Sequence, residues 1–248
     1  MKSRKPKIAI ISLTSCTGCQ VAIFDLGQKF LDLLKEIEIV YFRFLTEKES
    51  GGDYDIVFVE GNPTTTEEFQ ILKEMRRKSN FLVVLGNCAA MGGIQEIKNY
   101  HDKNQIIKLV YQNYQNLENR EITEINKVVD VDFVIPGCPI NGHDFLQCIY
   151  DLLAGKKPKI FERPVCDECH KNEYPCLLQE GKICFGPWTK GGCGAICLKS
   201  GQACWGCRGL LEEVDSKKMI KTLKDISGKT EEEIKKIAEI FGLRDNIS

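Results

Sequence analysis

The chain has 248 residues, 43% of them apolar and 28% charged, with a formal net charge of −1. That length accommodates one large domain and a small one. The balanced charge gives no electrostatic case for nucleic acid or an anionic membrane surface, and no apolar run approaches a membrane span, so no direct membrane insertion is expected.

Lys2, Arg4, Lys5 and Lys7 precede the apolar run Ile8 to Leu13, and Leu13-Thr14-Ser15-Cys16 has the look of a lipoprotein cleavage site. The run is only six residues long, below the usual minimum of about seven for an export signal. It is read instead as part of a first strand, Lys7–Leu13. Val21–Lys35 has helical periodicity, with Phe24, Leu26, Phe30, Leu31 and Leu34 mostly inward. Glu38–Phe44 and Tyr54–Glu60 are the second and third strands. Pro63-Thr64-Thr65-Thr66-Glu67-Glu68 opens a helix with capping-box spacing. Phe81–Leu85 and Val131–Ile135 are the fourth and fifth strands, followed by a helix at about His143–Leu153. Near-continuous Val/Ile runs joined by helices indicate a parallel sheet covered on both faces, an α/β, doubly wound, flavodoxin-like domain over residues 1–155.

Residues 156–248 form a second unit of different character. Up to Cys207 it is rich in Cys, Gly and Pro with little periodicity, so a hydrophobic core is not expected to order it and metal ligation would supply the folding free energy. A helical tail follows, Ser216–Ile226 and Thr230–Phe241, with Thr230 and Glu233 again at capping-box spacing.

Of the thirteen cysteines, twelve sort into three sets of four. Cys16 and Cys19 follow strand one, Cys88 follows strand four and Cys138 follows strand five. In an open α/β sheet these positions share the carboxyl edge, where ligands collect. Gly18, Gly86, Gly92, Gly93 and Gly137 let backbone approach such a ligand. Two other readings are four unrelated core thiols and a thioredoxin-like Cys16/Cys19 redox pair. No cis-proline signal for the latter stands out. The remaining sets are Cys166, Cys169, Cys176, Cys184 and Cys193, Cys197, Cys204, Cys207. Crowding of this kind in a reducing cytoplasm points to metal rather than disulfides. Four thiolates hold one four-iron cluster, although a four-cysteine zinc site is a competing reading. Cys166-Asp167-Glu168-Cys169-His170 also fits the CxxCH haem motif, but haem would orphan Cys176 and Cys184. Cys148 is left over and sits on the apolar face of its helix as a core residue.

Ser15-Cys16-Thr17-Gly18-Cys19, Gly86-Asn87-Cys88-Ala89-Ala90-Met91-Gly92-Gly93 and Pro136-Gly137-Cys138-Pro139 resemble the proximal-cluster motifs of [NiFe] hydrogenase small subunits. Cys184-Phe185-Gly186-Pro187, Gly192-Cys193-Gly194-Ala195, Cys197 and Cys204-Trp205-Gly206-Cys207-Arg208-Gly209 resemble the medial and distal region of the cytoplasmic, multimeric branch. The sulfhydrogenase δ type is nearest, and the small subunit of methanogen hydrogenases that do not reduce the deazaflavin coenzyme is second. The iron–sulfur subunit of respiratory complex I shares the first domain and ranks lower, since it lacks the eight-cysteine module. The resemblance implies three [4Fe-4S] clusters: proximal on Cys16, Cys19, Cys88 and Cys138, medial on Cys193, Cys197, Cys204 and Cys207, distal on Cys166, Cys169, Cys176 and Cys184. Respiratory relatives have a distal histidine where Cys166 stands here, and lack the fourth medial cysteine supplied by Cys197. A four-iron medial cluster of lower potential is implied.

The resemblance further implies a nickel–iron large subunit as partner and an iron–sulfur or flavin acceptor subunit. NAD(P) is the favoured acceptor, with ferredoxin or a heterodisulfide reductase as alternatives. No nickel motif is present in this chain, so no catalytic residue is assigned to it. Glu60, at the end of strand three, is either a proton-coupling carboxylate or a strand-end hydrogen-bond acceptor. His143 is read as a helix N-terminal residue, His101 carries no signal, and Trp188 and Trp205 are read as shields against water.

Overall fold

The computed structural model describes residues 4–46, 52–118 and 120–247; Lys2 of the basic N-terminal stretch lies outside them. β1 (Lys7–Ser12) is followed by α1 (Gly18–Phe24), α2 (Gln28–Leu33), β2 (Glu38–Phe42), β3 (Tyr54–Glu60), α3 (Thr66–Lys78), β4 (Ser79–Leu85), α4 (Gly86–Met91), α5 (Lys103–Val110), β5 (Phe133–Ile135) and α6 (Gly142–Leu153). The strands form one sheet in the order β2-β1-β3-β4-β5, every pair parallel. This is the flavodoxin-like order, with its switch point between β1 and β3.

Alternate strand residues face opposite ways. Ile8, Ile10, Ile56, Phe58, Val83 and Leu85 pack with Ile23 of α1, Phe30 of α2 and Phe145 of α6. Ala9, Ile11, Val57, Val59, Leu82 and Val84 pack with Leu72 and Met75 of α3 and Ala89 of α4. Both faces are covered, which is why the strands read as unbroken apolar runs. α3 starts where the sequence places it: Thr65 accepts from the Glu68 N–H, and the Glu68 carboxylate returns to the Thr65 N–H.

The register sets the geometry of the edge. Ser12 pairs with Glu60, Glu60 with Leu85 and Leu85 with Ile135. One row of residues therefore crosses the sheet at its carboxyl end, and the loops after β1, β3, β4 and β5 leave at the same level.

Three expectations need correction. The single helix over Val21–Lys35 is two helices, broken at Gly27, whose φ of +54° no helix accepts. Leu31, expected inward, is exposed. The cysteine-rich stretch contains local order and an apolar core. α7 (Val165–Lys171) and α8 (Ile196–Lys199) lie within it, and Val165, Leu177, Ala195 and Leu198 cluster with Cys184 and Cys204. Phe185 is fully buried in an adjoining cluster against Met219 and Leu223 of α9 (Ser216–Ser227) and Ile234 of α10 (Glu231–Ala238). Scattered apolar residues with no period supply this core, so periodicity could not reveal it. α10 carries the expected Thr230/Glu233 capping box.

Candidate metal centres

Each cysteine of the first set sits in a turn at the carboxyl edge. Cys19 lies in the first turn of α1, whose N-cap Thr17 takes a left-handed φ of +62°. Its N–H donates to the Glu60 carboxylate at 3.0 Å, and Gln20 Nε2 donates to the same group at 3.0 Å. Glu60 is 2% exposed. The strand-end acceptor reading is therefore the one its contacts show, and the carboxylate anchors the loop that bears Cys16 and Cys19. Cys88 lies in α4 and Cys138 follows β5, where the Cys138–Pro139 peptide is cis although the sequence showed no signal for it. The Asn87 N–H donates to the Gly137 carbonyl at 2.7 Å, tying the β4 and β5 loops together.

The four thiols feel one another. Burial pushes the Cys88 thiol up to about 11, helped by the charge of Cys16. Burial does the same for Cys138, also up to about 11, with contributions from Cys88 and Cys16. Cys19 is raised further by burial, then by Glu60, and Cys138 adds to it. A redox pair needs a thiol lowered toward neutrality, so Cys19 has the wrong environment for the thioredoxin-like reading. A buried thiol of this kind becomes a thiolate when a metal coordinates it.

The glycines form a cradle. A Cβ on Gly86 would lie 2.4 Å from Cys19 Sγ, one on Gly93 3.0 Å from Cys88 Sγ, and one on Gly18 3.3 Å from Cys16 Sγ. Backbone N–H groups of Ile140 and Ile94 point at the sulfurs of Cys19 and Cys88. Soft donors, close backbone and sulfur-directed N–H groups fit a cysteine-ligated iron–sulfur cluster.

The other two sets also converge. Burial pushes the Cys166 thiol up to about 12, and Cys184, Cys169 and Cys176 add to it. Cys166 and Cys169 ride on α7, with Cys176 and Cys184 opposite, so CxxCH is part of a quartet and not a separate site. Cys207 is pushed up to about 11 by burial, with Cys193 and Cys197 among its neighbours. Cys204, raised by burial, lies near Cys207 with the Gly206 N–H pointing at it, while the Thr189 hydroxyl donates to the Phe185 carbonyl at 2.8 Å. These four thiols, with Trp205, Arg208 and the Cys138 turn, line a cavity of about 570 Å³. Cys193 also lies 3.8 Å from the Glu168 carboxylate. Among the described residues no group of three or more His, Cys, Asp or Glu side chains could hold a single metal ion.

The sets adjoin. Cys207 of the cavity set shares its cavity with Cys138 of the sheet-edge set. A Cβ on Gly186 would lie 3.4 Å from Cys184 Sγ of the α7 set and 3.7 Å from Cys204 Cβ of the cavity set. Cys16 and Cys138 are exposed in the sheet-edge set, Cys176 in the α7 set and Cys197 in the cavity set. Cys148 is buried in the core, as expected. His143 lies in the first turn of α6, while Trp205, 38% exposed, shields its cavity only in part. Asn87, Arg208, Thr189 and Glu168 gain roles here that the sequence reading did not assign. Their signal was their position within or beside the cysteine motifs.

A flavodoxin-like sheet with one thiol quartet on its carboxyl edge and two more adjoining it defines an iron–sulfur oxidoreductase subunit. Residues 16–152 match the family described as NADH ubiquinone oxidoreductase, 20 Kd subunit, a match that stops short of the eight-cysteine segment. The chain is 35% identical to the sulfhydrogenase 2 subunit delta of Pyrococcus furiosus, over 89% of this chain and 93% of that one. It is 31% identical to a subunit of the F420-non-reducing hydrogenase vhu of Methanococcus voltae, over 85% of this chain and 84% of that one. Among solved structures, an NAD+-reducing [NiFe]-hydrogenase in the H2-reduced state matches with a TM-score of 0.57 and 28% identity, over 63% of this chain and 95% of that chain. The chain belongs to the hydrogenase small-subunit family, and so to the oxidoreductases that act on hydrogen. Among the described residues no helix is long and apolar enough to cross a membrane.

Proposed function

We propose that this chain is the electron-transfer small subunit of a cytoplasmic [NiFe] hydrogenase, relaying single electrons between the nickel–iron centre of a large subunit and an acceptor subunit. The observation that carries the reading is three adjoining sets of four thiols, Cys138 sharing a cavity with Cys207 and Cys204 lying beside Cys184 at Gly186. Three [4Fe-4S] clusters occupy them and supply one-electron redox chemistry. Cys16, Cys19, Cys88 and Cys138 hold the proximal one, Cys193, Cys197, Cys204 and Cys207 the medial one, and Cys166, Cys169, Cys176 and Cys184 the distal one. Residues 1–155 form the proximal unit and 156–248 the medial and distal unit.

The exposed proximal ligands Cys16 and Cys138 face the large subunit, while exposed Cys176 faces the acceptor. An NAD(P)-linked acceptor is favoured because the solved relative with 28% identity is an NAD+-reducing enzyme. Ferredoxin or a heterodisulfide reductase is the second choice, and the likeness to a subunit of an F420-non-reducing hydrogenase supports an acceptor other than F420.

Metal and acid-labile sulfide analysis of the chain purified without oxygen tests the reading. About twelve iron and twelve sulfide per chain, without nickel, fit three cubanes. Zinc without sulfide refutes it. In the assembled complex, Cys88→Ser is expected to stop acceptor reduction by dihydrogen while proton–deuterium exchange at the large subunit continues.

A further inference from the structure

The seam between the first two thiol sets is built from consecutive residues on one side. Asn87, next to Cys88 and 2% exposed, donates from Nδ2 to the Cys207 carbonyl at 3.0 Å and to the Phe241 carbonyl at 3.0 Å. Arg208, next to Cys207 and 3% exposed, spreads its guanidinium over three segments. Nε donates to the Gly191 carbonyl at 2.6 Å, Nη1 to the Pro136 carbonyl at 3.0 Å and Nη2 to Asp144 Oδ2 at 2.9 Å. Pro136 lies two residues before Cys138. Cys207 and the residue after it are thus pinned to the two loops that bear Cys88 and Cys138. Cys138 and Cys207 line the same cavity.

We infer that Asn87 and Arg208 are the positioning residues that set the proximal and medial sites against each other for the electron step between them. The inference rests on the relay proposed above. One electron leaves the proximal side, which is oxidised by one, and arrives at the medial side, which is reduced by one. No covalent bond forms or breaks. Buried amide and guanidinium donors suit this task, because leaving the facing carbonyls unpaired would be costly and the seam therefore has one preferred arrangement.

The test uses the intact complex carrying Asn87→Leu, which keeps the branched side-chain shape and removes both donated hydrogen bonds. Asn62→Leu is the comparison. Asn62 is equally buried, but its side-chain amide donates to the Gly92 carbonyl at 3.1 Å and to neither Cys207 nor Phe241. The readouts are iron content, the magnetic interaction between reduced proximal and medial centres by electron paramagnetic resonance, and freeze-quenched reduction of each centre after mixing with dihydrogen. Asn87→Leu is expected to load fully, to weaken the interaction and to make medial reduction lag behind proximal. Asn62→Leu is expected to show neither change. Unaltered coupling and rate in Asn87→Leu, or the same loss in Asn62→Leu, would overturn the inference. Should Asn87→Leu lose medial iron, Arg208→Lys, which keeps the charge but loses the fork, is read by the same two signals, and an unchanged result there would overturn it. Loss of medial iron from both would also overturn it, making the pair supports of that site rather than of the step. A parent chain with only about eight iron would instead refute the three-cluster relay itself.

Discussion

Gly86→Ala adds one methyl group at the junction of β4 and the Cys88 turn, and the structure specifies what that methyl meets. Its Cβ would stand 2.4 Å from Cys19 Sγ and 3.2 Å from the Gly137 carbonyl oxygen, where non-bonded heavy atoms want about 3.5–4.0 Å. The backbone is at φ +80°, which costs an L-residue roughly 1–2 kcal/mol. The sulfur cannot retreat with its backbone, because the Cys19 N–H is held by Glu60 at 3.0 Å. It can only swing about χ1, away from the position shared with Cys16, Cys88 and Cys138. The expected result is a folded chain short of about four iron, with the proximal signal gone and the other two intact. Gly155→Ala separates strain from contact. Gly155 has φ +67° but nothing within 4 Å of its Cβ, so it pays the backbone term alone and keeps all its iron. Iron and sulfide analysis with electron paramagnetic resonance of the reduced proteins decides. A Gly86→Ala chain with full iron and an unchanged proximal signal would refute the placement of Cys19 Sγ among the ligands.

Glu96 carries a second prediction. Burial, then the charge of Asp245, pushes its carboxyl up to about 7, with Glu124 adding and Tyr100 and Lys127 opposing. Folded Glu96 therefore keeps a proton that the unfolded chain has released, so stability falls as pH rises from about 4.5 to about 7. Because the group is only half buried, solvent screening discounts the effect to about 1–2 kcal/mol. Glu96→Gln should flatten that slope and raise the denaturant midpoint at pH 8, and an unchanged slope would count against the burial argument. Thr230→Ala breaks a capping box in which the Glu233 N–H donates to Thr230 at 3.3 Å and the Thr230 N–H donates to Glu233 at 2.9 Å. The expected cost is about 1 kcal/mol, read as a lower melting temperature with iron content unchanged.

Much of the sheet was legible because its strands are buried on both faces. Tyr54–Glu60 is a run with no polar interruption between Ile56 and Val59, and the structure places β3 over those same residues. The capping boxes at Thr65 and Thr230 were legible because their chemistry is local, complete within four residues. α5 went unread, and its side of the chain shows why: Leu109, Val110 and Tyr111 are exposed, so no inward stripe marks a helix there. The break at Gly27 was also missed, since the apolar spacing runs through it and only the backbone conformation stops the helix.

The site divides along the same line. That Cys16, Cys19, Cys88 and Cys138 follow strands ending at one edge of the sheet could be read from the sequence, because a short loop after a strand has little choice of where to go. How the quartets face one another could not, because that depends on contacts between residues far apart in the chain. Asn87 and Cys207 are separated by 120 positions, and Arg208 and Pro136 by 72. No periodicity links such pairs, and a lone Asn or Arg is ordinarily a solvated surface residue. Burial is what distinguishes these two. A guanidinium at 3% exposure with all three nitrogens engaged is retained only where its partners are fixed, since removing one partner strands a charge at a cost of about 3–5 kcal/mol. Arg208 therefore reports the relative placement of the Pro136 loop, the Gly191 loop and α6 as one rigid set. Cys207, its neighbour in sequence, inherits that rigidity in the cavity it shares with Cys138.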